Sequence, residues 1–365
     1  MMMPEESRRA AAFFINQIDV LIKKPVRFME VCGTHTVSIF RSGIRQLLPE
    51  KVDLVSGPGC PVCVTPNDYM DMAIAYAKRK DTIIATFGDM LKVPGTSSSL
   101  NEAKAQGADV RIIYSPLDVL QISQENPQKQ IIFLAVGFET TAPLTAVTVQ
   151  TAMAQHIDNF FILSSHKWTN APIDALLSDP QIKVDGFLLP GHVCVITGEK
   201  PFDFVADKYR KPAVVTGFEA LDILRAVYML ARQVSTGQIQ IENAYKQVVK
   251  PEGNRVAQSV IKEVFDSVPA KWRGFGTIEA SGMILKDKYA QYDALQQIPV
   301  EKEISRENPA CRCGEILKGL IKPTQCPLFK KTCTPDKPAG ACMVSVEGTC
   351  HAWYKYGQGR YHYGR

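Results

Sequence analysis

The most constraining feature of this chain is a recurring unit: a short β-branched run closed by Gly, Pro, Ser or Thr, often followed by a helical pattern. The first half contains VRFMEV, VDLVS, TIIATF and VRIIYS, and the second contains IIFLAV, FFILSS, GFLLP and AVVTG. This alternation argues for an α/β fold of parallel sheets with crossover helices. The two sets align at a nearly constant offset, with Thr36 matching Thr141, Gly88 matching Gly191 and Asp118 matching Asp222. Two similar parallel-sheet α/β domains, a pseudo-duplication, follow from it. The expected boundaries are 1–122 and 123–235, with a helical and Cys-rich domain over 236–365.

Ligands of open α/β sheets bind beyond the carboxyl ends of the strands. The loops at those places are CGTHT, GPGCPVC and TFGD in the first half, and GFETTAP, SSHKWTNAP and PGHV in the second. Polar chemistry therefore gathers on one edge of each half. A cleft between the halves would bring the edges together.

Composition narrows the setting. No apolar run is long enough to cross a bilayer. The opening MMMPEESRRAAAFFINQIDVLIKK reads as a surface helix, since it lacks the long apolar run and cleavage site of a signal peptide. A cytoplasmic location is expected, where ten cysteines serve as metal ligands, redox thiols or small buried residues. Residues 301–365 hold 11 Lys/Arg and 6 Asp/Glu, which accounts for the whole net charge of +5. Basic stripes with interleaved aromatics are lacking, so neither nucleic acid nor membrane is an expected partner. No P-loop, GxGxxG or Ser-His-Asp order stands out.

Cys60 and Cys63 end a strand near an expected helix N-terminus, where thiolate is favoured. They read as a redox pair or as metal ligands; a zinc ribbon would need a second CxxC. Cys32, in EVCGTHT, falls on the same edge. Three thiols there suit a soft metal such as iron, although a lone cysteine is as readily a buried one. His35 is a ligand, an acid/base group or a packed histidine. His192 is the better candidate for chemistry in PGHVCVITG, and Cys194 reads as a packed residue. Glu139, Thr140 and Thr141 cap a helix or hold an anion. In the tail, Cys311, Cys326, Cys333 and Cys350 form C-x14-C-x6-C-x16-C, with Cys313 and Cys342 in the gaps. Four thiolates so spaced would build an iron-sulfur cluster or a structural zinc site.

The stretches MEVCGTHT, SGPGCPVCVTP, GFETTAP, LLPGHV, EGN at 252–254, WRGFG at 272–276 and CRCGEIL...CPLF...CTP...GACMVSVEGTC together resemble the HypD family of [NiFe] hydrogenase formation proteins. The resemblance implies a [4Fe-4S] cluster on Cys311, Cys326, Cys333 and Cys350. It also implies an iron-assembly site on Cys32, Cys60 and Cys63, where transient iron gains two cyanides and one carbon monoxide. A HypC-type chaperone and a HypE-type cyanide donor are the implied partners. Cys194 departs from the serine expected in relatives, and Cys313 is a second candidate for the first cluster ligand. The competing reading is an iron-sulfur thiol-disulfide reductase similar to ferredoxin:thioredoxin reductase, in which Cys32 has no part.

Overall fold

The computed structural model describes residues 5–357. The expected surface helix is present as Glu5–Leu21, while Arg360 and Arg365, part of the basic surplus, lie outside the described residues. All eight runs form strands: β1 (Val26–Glu30), β2 (Val52–Ser56), β3 (Thr82–Thr86), β4 (Asp109–Ile112), β5 (Gln130–Gly137), β6 (Phe160–His166), β7 (Gly186–Pro190) and β8 (Ala213–Thr216). Three more follow: β9 (Ile241–Asn243), β10 (Phe265–Trp272) and β11 (Gly276–Leu285). Two parallel sheets result, ordered β2-β1-β7-β8-β9 and β4-β3-β5-β6, with β10 and β11 as an antiparallel hairpin.

The duplication is real, yet its two halves are exchanged. Along the chain, β1 to β4 correspond to β5 to β8, as the starts at Val26 and Gln130, Thr82 and Gly186, or Asp109 and Ala213 show. Each sheet combines the first two strands of one half with the last two of the other. Replacing each strand of β2-β1-β7-β8 by its counterpart yields β6-β5-β3-β4, the order of the second sheet. The expected boundary at 122/123 therefore falls between β4 and β5, inside the four-stranded sheet, and does not separate the sheets. Residues 82–166 build one sheet, while 26–56 join 186–243 to build the other.

Both sheets are covered on both faces, as parallel sheets require. Alternate residues feed different cores: Ile132 and Leu134 of β5 pack with Ile84 and Leu163, whereas Ile131 and Phe133 pack with Ile83, Phe160 and Ile162. In the other sheet Phe28, Leu54, Leu188 and Val214 share one core, and Met29, Val55, Phe187 and Val215 share the opposite one.

The reading of the chain beyond 235 as helical needs correction. A helix does span Arg255–Val264, but the hairpin follows it and β9 adds an edge strand. Pro269 lies where the hairpin register shifts between Val268 and Ala270. Proline has no N–H for a ladder, so it is accommodated at that bulge. The hairpin supplies Phe265, Met283 and Leu285 to the core under the four-stranded sheet. From Pro309 to Gly357 the chain is short helices and turns around a core rich in cysteine sulfur.

Candidate functional site

Cys32 follows β1 and is the residue before the helix Gly33–Arg41, with extended backbone angles. Its N–H donates to Glu30 Oε2 at 3.2 Å, and Thr36 Oγ1 donates to Glu30 Oε1. Burial pushes the Glu30 carboxyl up to about 7, against hydrogen bonds from Ser56, Thr36 and Cys32 that pull it down. Burial also pushes the Cys32 thiol up to about 12, helped by the charges of Glu30 and Glu347. The tail reaches this loop, since Thr34 Oγ1 donates to Glu347 Oε1 at 2.7 Å.

The GPGCPVC loop runs along the end of β1. Gly57 N donates to Glu30 O at 2.7 Å, and Gly33 N donates to Gly59 O at 3.1 Å. A Cβ on Gly59 would sit 2.1 Å from Cys32 N, so only glycine permits this approach. The next residues, Pro61–Val64, form one helical turn capped by Cys60, whose Sγ accepts from Cys63 N at 3.3 Å. The expected thiolate-favouring effect of that terminus does not prevail at Cys63. Its thiol is fully buried, and desolvation holds it well above the ordinary value.

Cys60 and Cys63 belong to the same buried core as the tail cysteines. Cys342 shares this core with Cys63, Cys313 and Cys350, and its interactions with Cys313, Cys350 and Cys63 hold it well below the ordinary thiol range. Cys311, Cys313, Cys326, Cys333 and Cys350 line one small cavity together with Ile316, Leu328, Phe329 and Met343. Cys311 Sγ and Cys313 Sγ are 3.3 Å apart. A [4Fe-4S] cluster takes four thiolates, and the five thiols at this apolar cavity fit that group with one to spare. Among the described residues, no three His, Cys, Asp or Glu side chains are placed to hold a single metal ion.

The WRGFG segment joins the pair to the tail. Arg273 is buried, its N–H donates to Val64 O and its Nε donates to Thr65 O, both at 2.9 Å. The guanidinium charge also lowers the Cys311 thiol, although the hydrogen bond with Cys313 and burial leave that thiol raised. Trp272 packs in the cysteine core, stacked on Phe138 with centroids 6.1 Å apart.

The remaining candidates occupy the facing edges. His35 and His192 bracket Phe218, with ring centroids at 4.9 and 5.2 Å, and His35 Nε2 lies 2.9 Å from Gly217 O. Burial lowers both histidines to about 4, so both are neutral near pH 7. Cys194 is fully buried in an apolar core. Thr141 precedes the helix Ala142–Ala154 without a side-chain cap bond. Glu139 accepts from Thr169 N at 2.9 Å and from Thr169 Oγ1 at 3.0 Å, while its buried Oε2 has no partner. Burial pushes this carboxyl up to about 7.

Sequence reasoning assigned nothing to His166, Lys167 or Arg273. The signal was the polar pair His166-Lys167 directly after the apolar stretch of β6. Both are almost fully buried.

Residues 9–357 match the family model described as "HypD: Hydrogenase formation hypA family". The chain is 44% identical over 350 residues to the hydrogenase maturation factor HypD of Rhodobacter capsulatus, covering 94% of this chain and 93% of that one. It is 45% identical over 337 residues to the HypD of Escherichia coli (strain K12), covering 92% and 90%. The HypD of Rhizobium leguminosarum bv. viciae is 45% identical over 341 residues, covering 91% and 89%. No helix among the described residues is long and apolar enough to cross a membrane. With nearly its whole length matched, and with the thiol-bearing loops of the resemblance packed against one another, this chain belongs to the HypD family of hydrogenase maturation proteins.

Proposed function

We propose that the chain is a hydrogenase maturation scaffold, on which Cys32, Cys60 and Cys63, not gathered around one point in the structure, come together on cargo iron while it acquires two cyanides and one carbon monoxide. A HypC-type chaperone and a HypE-type cyanide donor act with it. The observation that carries this reading is the position of the GPGCPVC loop. One end lies on the backbone of Cys32 through Gly59, and the other meets the tail thiols through Cys63 and Cys342.

Soft thiolates hold low-spin iron while strong-field ligands fill its open positions. Freeing cyanide from a thiocyanate consumes two electrons. Oxidation of the Cys60 and Cys63 thiols to a disulfide supplies both, with iron left on Cys32 until the pair is reduced again: R–SCN and two thiols become R–SH, HCN and the disulfide, so hydrogen, sulfur and electrons balance. A [4Fe-4S] cluster held by Cys311, Cys326, Cys333 and Cys350 supplies electrons singly. Cys342 stands between that cavity and Cys63, and Arg273 fixes the backbone that follows the pair. Glu30 orients Cys32 through its N–H, and Glu139 with its unpartnered oxygen is a proton-holding group on the facing edge.

The core that Cys60 and Cys63 share with the tail thiols also favours the second reading, a thiol-disulfide reductase. Cys32 separates the two. In cells lacking their own HypD, the Cys32→Ala variant should abolish hydrogenase maturation while the purified protein keeps its iron-sulfur absorption. Normal maturation by that variant would refute the assignment of Cys32. Reduction of a test disulfide at a useful rate, indifferent to Cys32→Ala, would favour the reductase.

A further inference from the structure

The carboxyl end of β6 opens into a pocket of about 330 Å³, bounded by segment 66–72 and by the β10–β11 hairpin. The size falls within that of small-molecule sites. Most of its wall is apolar, including Met72, Leu163, Val268, Met283 and Leu295. Set into this wall is Lys167, only 4% exposed, with Nζ 5.4 Å from the centroid of the Trp272 ring. Among the described residues, no acceptor or carboxylate lies within bonding distance of that ammonium. Asp68, the carboxylate whose charge it feels, is bound at 2.9 Å by Lys271 at the pocket mouth.

The stem of Lys167 is buried while its ammonium reaches the pocket space, where it has the aromatic face beside it but no counter-ion. The pocket interior thus carries one positive charge with nothing opposite it. Ser165, on the same face of the strand by two-residue alternation, adds a hydroxyl to the lining. We propose that this pocket binds a small monocarboxylate with an apolar body, its carboxylate paired to Lys167 and its body against Met72, Leu163 and Met283. A dianion such as phosphate is disfavoured at depth, because Lys167 is the one cation set into the apolar wall, while the exposed Lys271 and Lys302 line the rim, where Asp68 is paired with Lys271. This inference is independent of the maturation reading, since occupancy is measured without partners or iron. Trp272 links the pocket to the cysteine core, because its ring lies under Lys167 and belongs to the core that holds Cys60 and Cys63.

The test is calorimetric titration of the full-length protein with butyrate, with its neutral isostere butyramide and with inorganic phosphate. Butyrate should bind saturably at one site, and butyramide and phosphate should bind at least tenfold more weakly. The Lys167→Met variant, which replaces the charge by a chain of similar length, should weaken butyrate at least tenfold. A second variant, Leu295→Trp, fills the mouth from a half-exposed position and should weaken it likewise even if Lys167→Met does not fold. No saturable butyrate binding, equal binding of butyramide, tighter binding of phosphate, or unchanged binding in a folded variant would each overturn the proposal.

Discussion

Gly59 lies directly against Cys32: a methyl group on Gly59 would meet Cys32 N at 2.1 Å and its Cα at 2.3 Å. Both conflicts are with backbone, so neither can be relieved by rotating a side chain. Gly59→Ala should therefore push the CxxC loop off the end of β1 and cost on the order of 2 kcal/mol of stability. Gly88→Ala is the control, because its nearest neighbour would be Ile112 Cγ2 at 3.9 Å. Urea unfolding should show a lower midpoint for Gly59→Ala alone, and maturation activity should fall with it.

The buried carboxyl of Glu139 makes a signed pH prediction. Its pKa rises from 4.5 to about 7 on folding, so between those values the native state binds more protons than the unfolded chain. Stability then falls as pH rises through this window, and the full penalty, on the order of 3 kcal/mol, is present above about pH 7. Glu139→Gln keeps an acceptor for Thr169 and removes the penalty. The stability difference between variant and wild type should grow in favour of the variant from pH 4.5 to 7 and then level off. A difference independent of pH would show that Glu139 is not buried as described.

Gly274 carries the attachment of the tail. Its φ is +81°, and a Cβ there would lie 2.2 Å from the Cα of Gly314, next to Cys313. Gly274→Ala faces both backbone strain and a collision, each of which destabilises. Anaerobically prepared variant should hold less iron and sulfide per chain than wild type. Iron content equal to wild type would mean that the tail docks without this contact.

Much of the architecture was legible in the sequence, because strands in covered parallel sheets are short β-branched runs with punctuated ends. All eight runs became strands, and the offset of the two halves persists from β1/β5 to β4/β8. The pairing was not legible. Local composition says that Thr82–Thr86 is a strand, but not that it leaves β1 and β2 to pair with β4 and β5. That choice is tertiary, and it exchanges the halves between the sheets. The β10–β11 hairpin was hidden by Pro269 and by a run of exposed polar positions, which resemble no half-buried strand.

The grouping of thiols, as distinct from their roles, was partly legible in the sequence. The tail cysteines chosen by spacing do line one cavity, and the CxxC pair does share their core. Spacing gave no role to Cys342 and left Cys313 as a second candidate for the first cluster ligand; the fold places both among the other thiols. It also passed over Lys167, whose chemistry arises only when Trp272, 105 positions later, is folded beneath it.

The central claim is that Cys32 and the Cys60/Cys63 pair together hold iron as it receives its diatomic ligands. Infrared spectroscopy of the anaerobically purified protein, bound to its HypC-type partner, tests this most directly. Bands of iron-bound cyanide and carbon monoxide should be present in wild type and absent from both Cys32→Ala and Cys63→Ala, with iron-sulfur absorption retained. Undiminished bands in either variant would contradict the account.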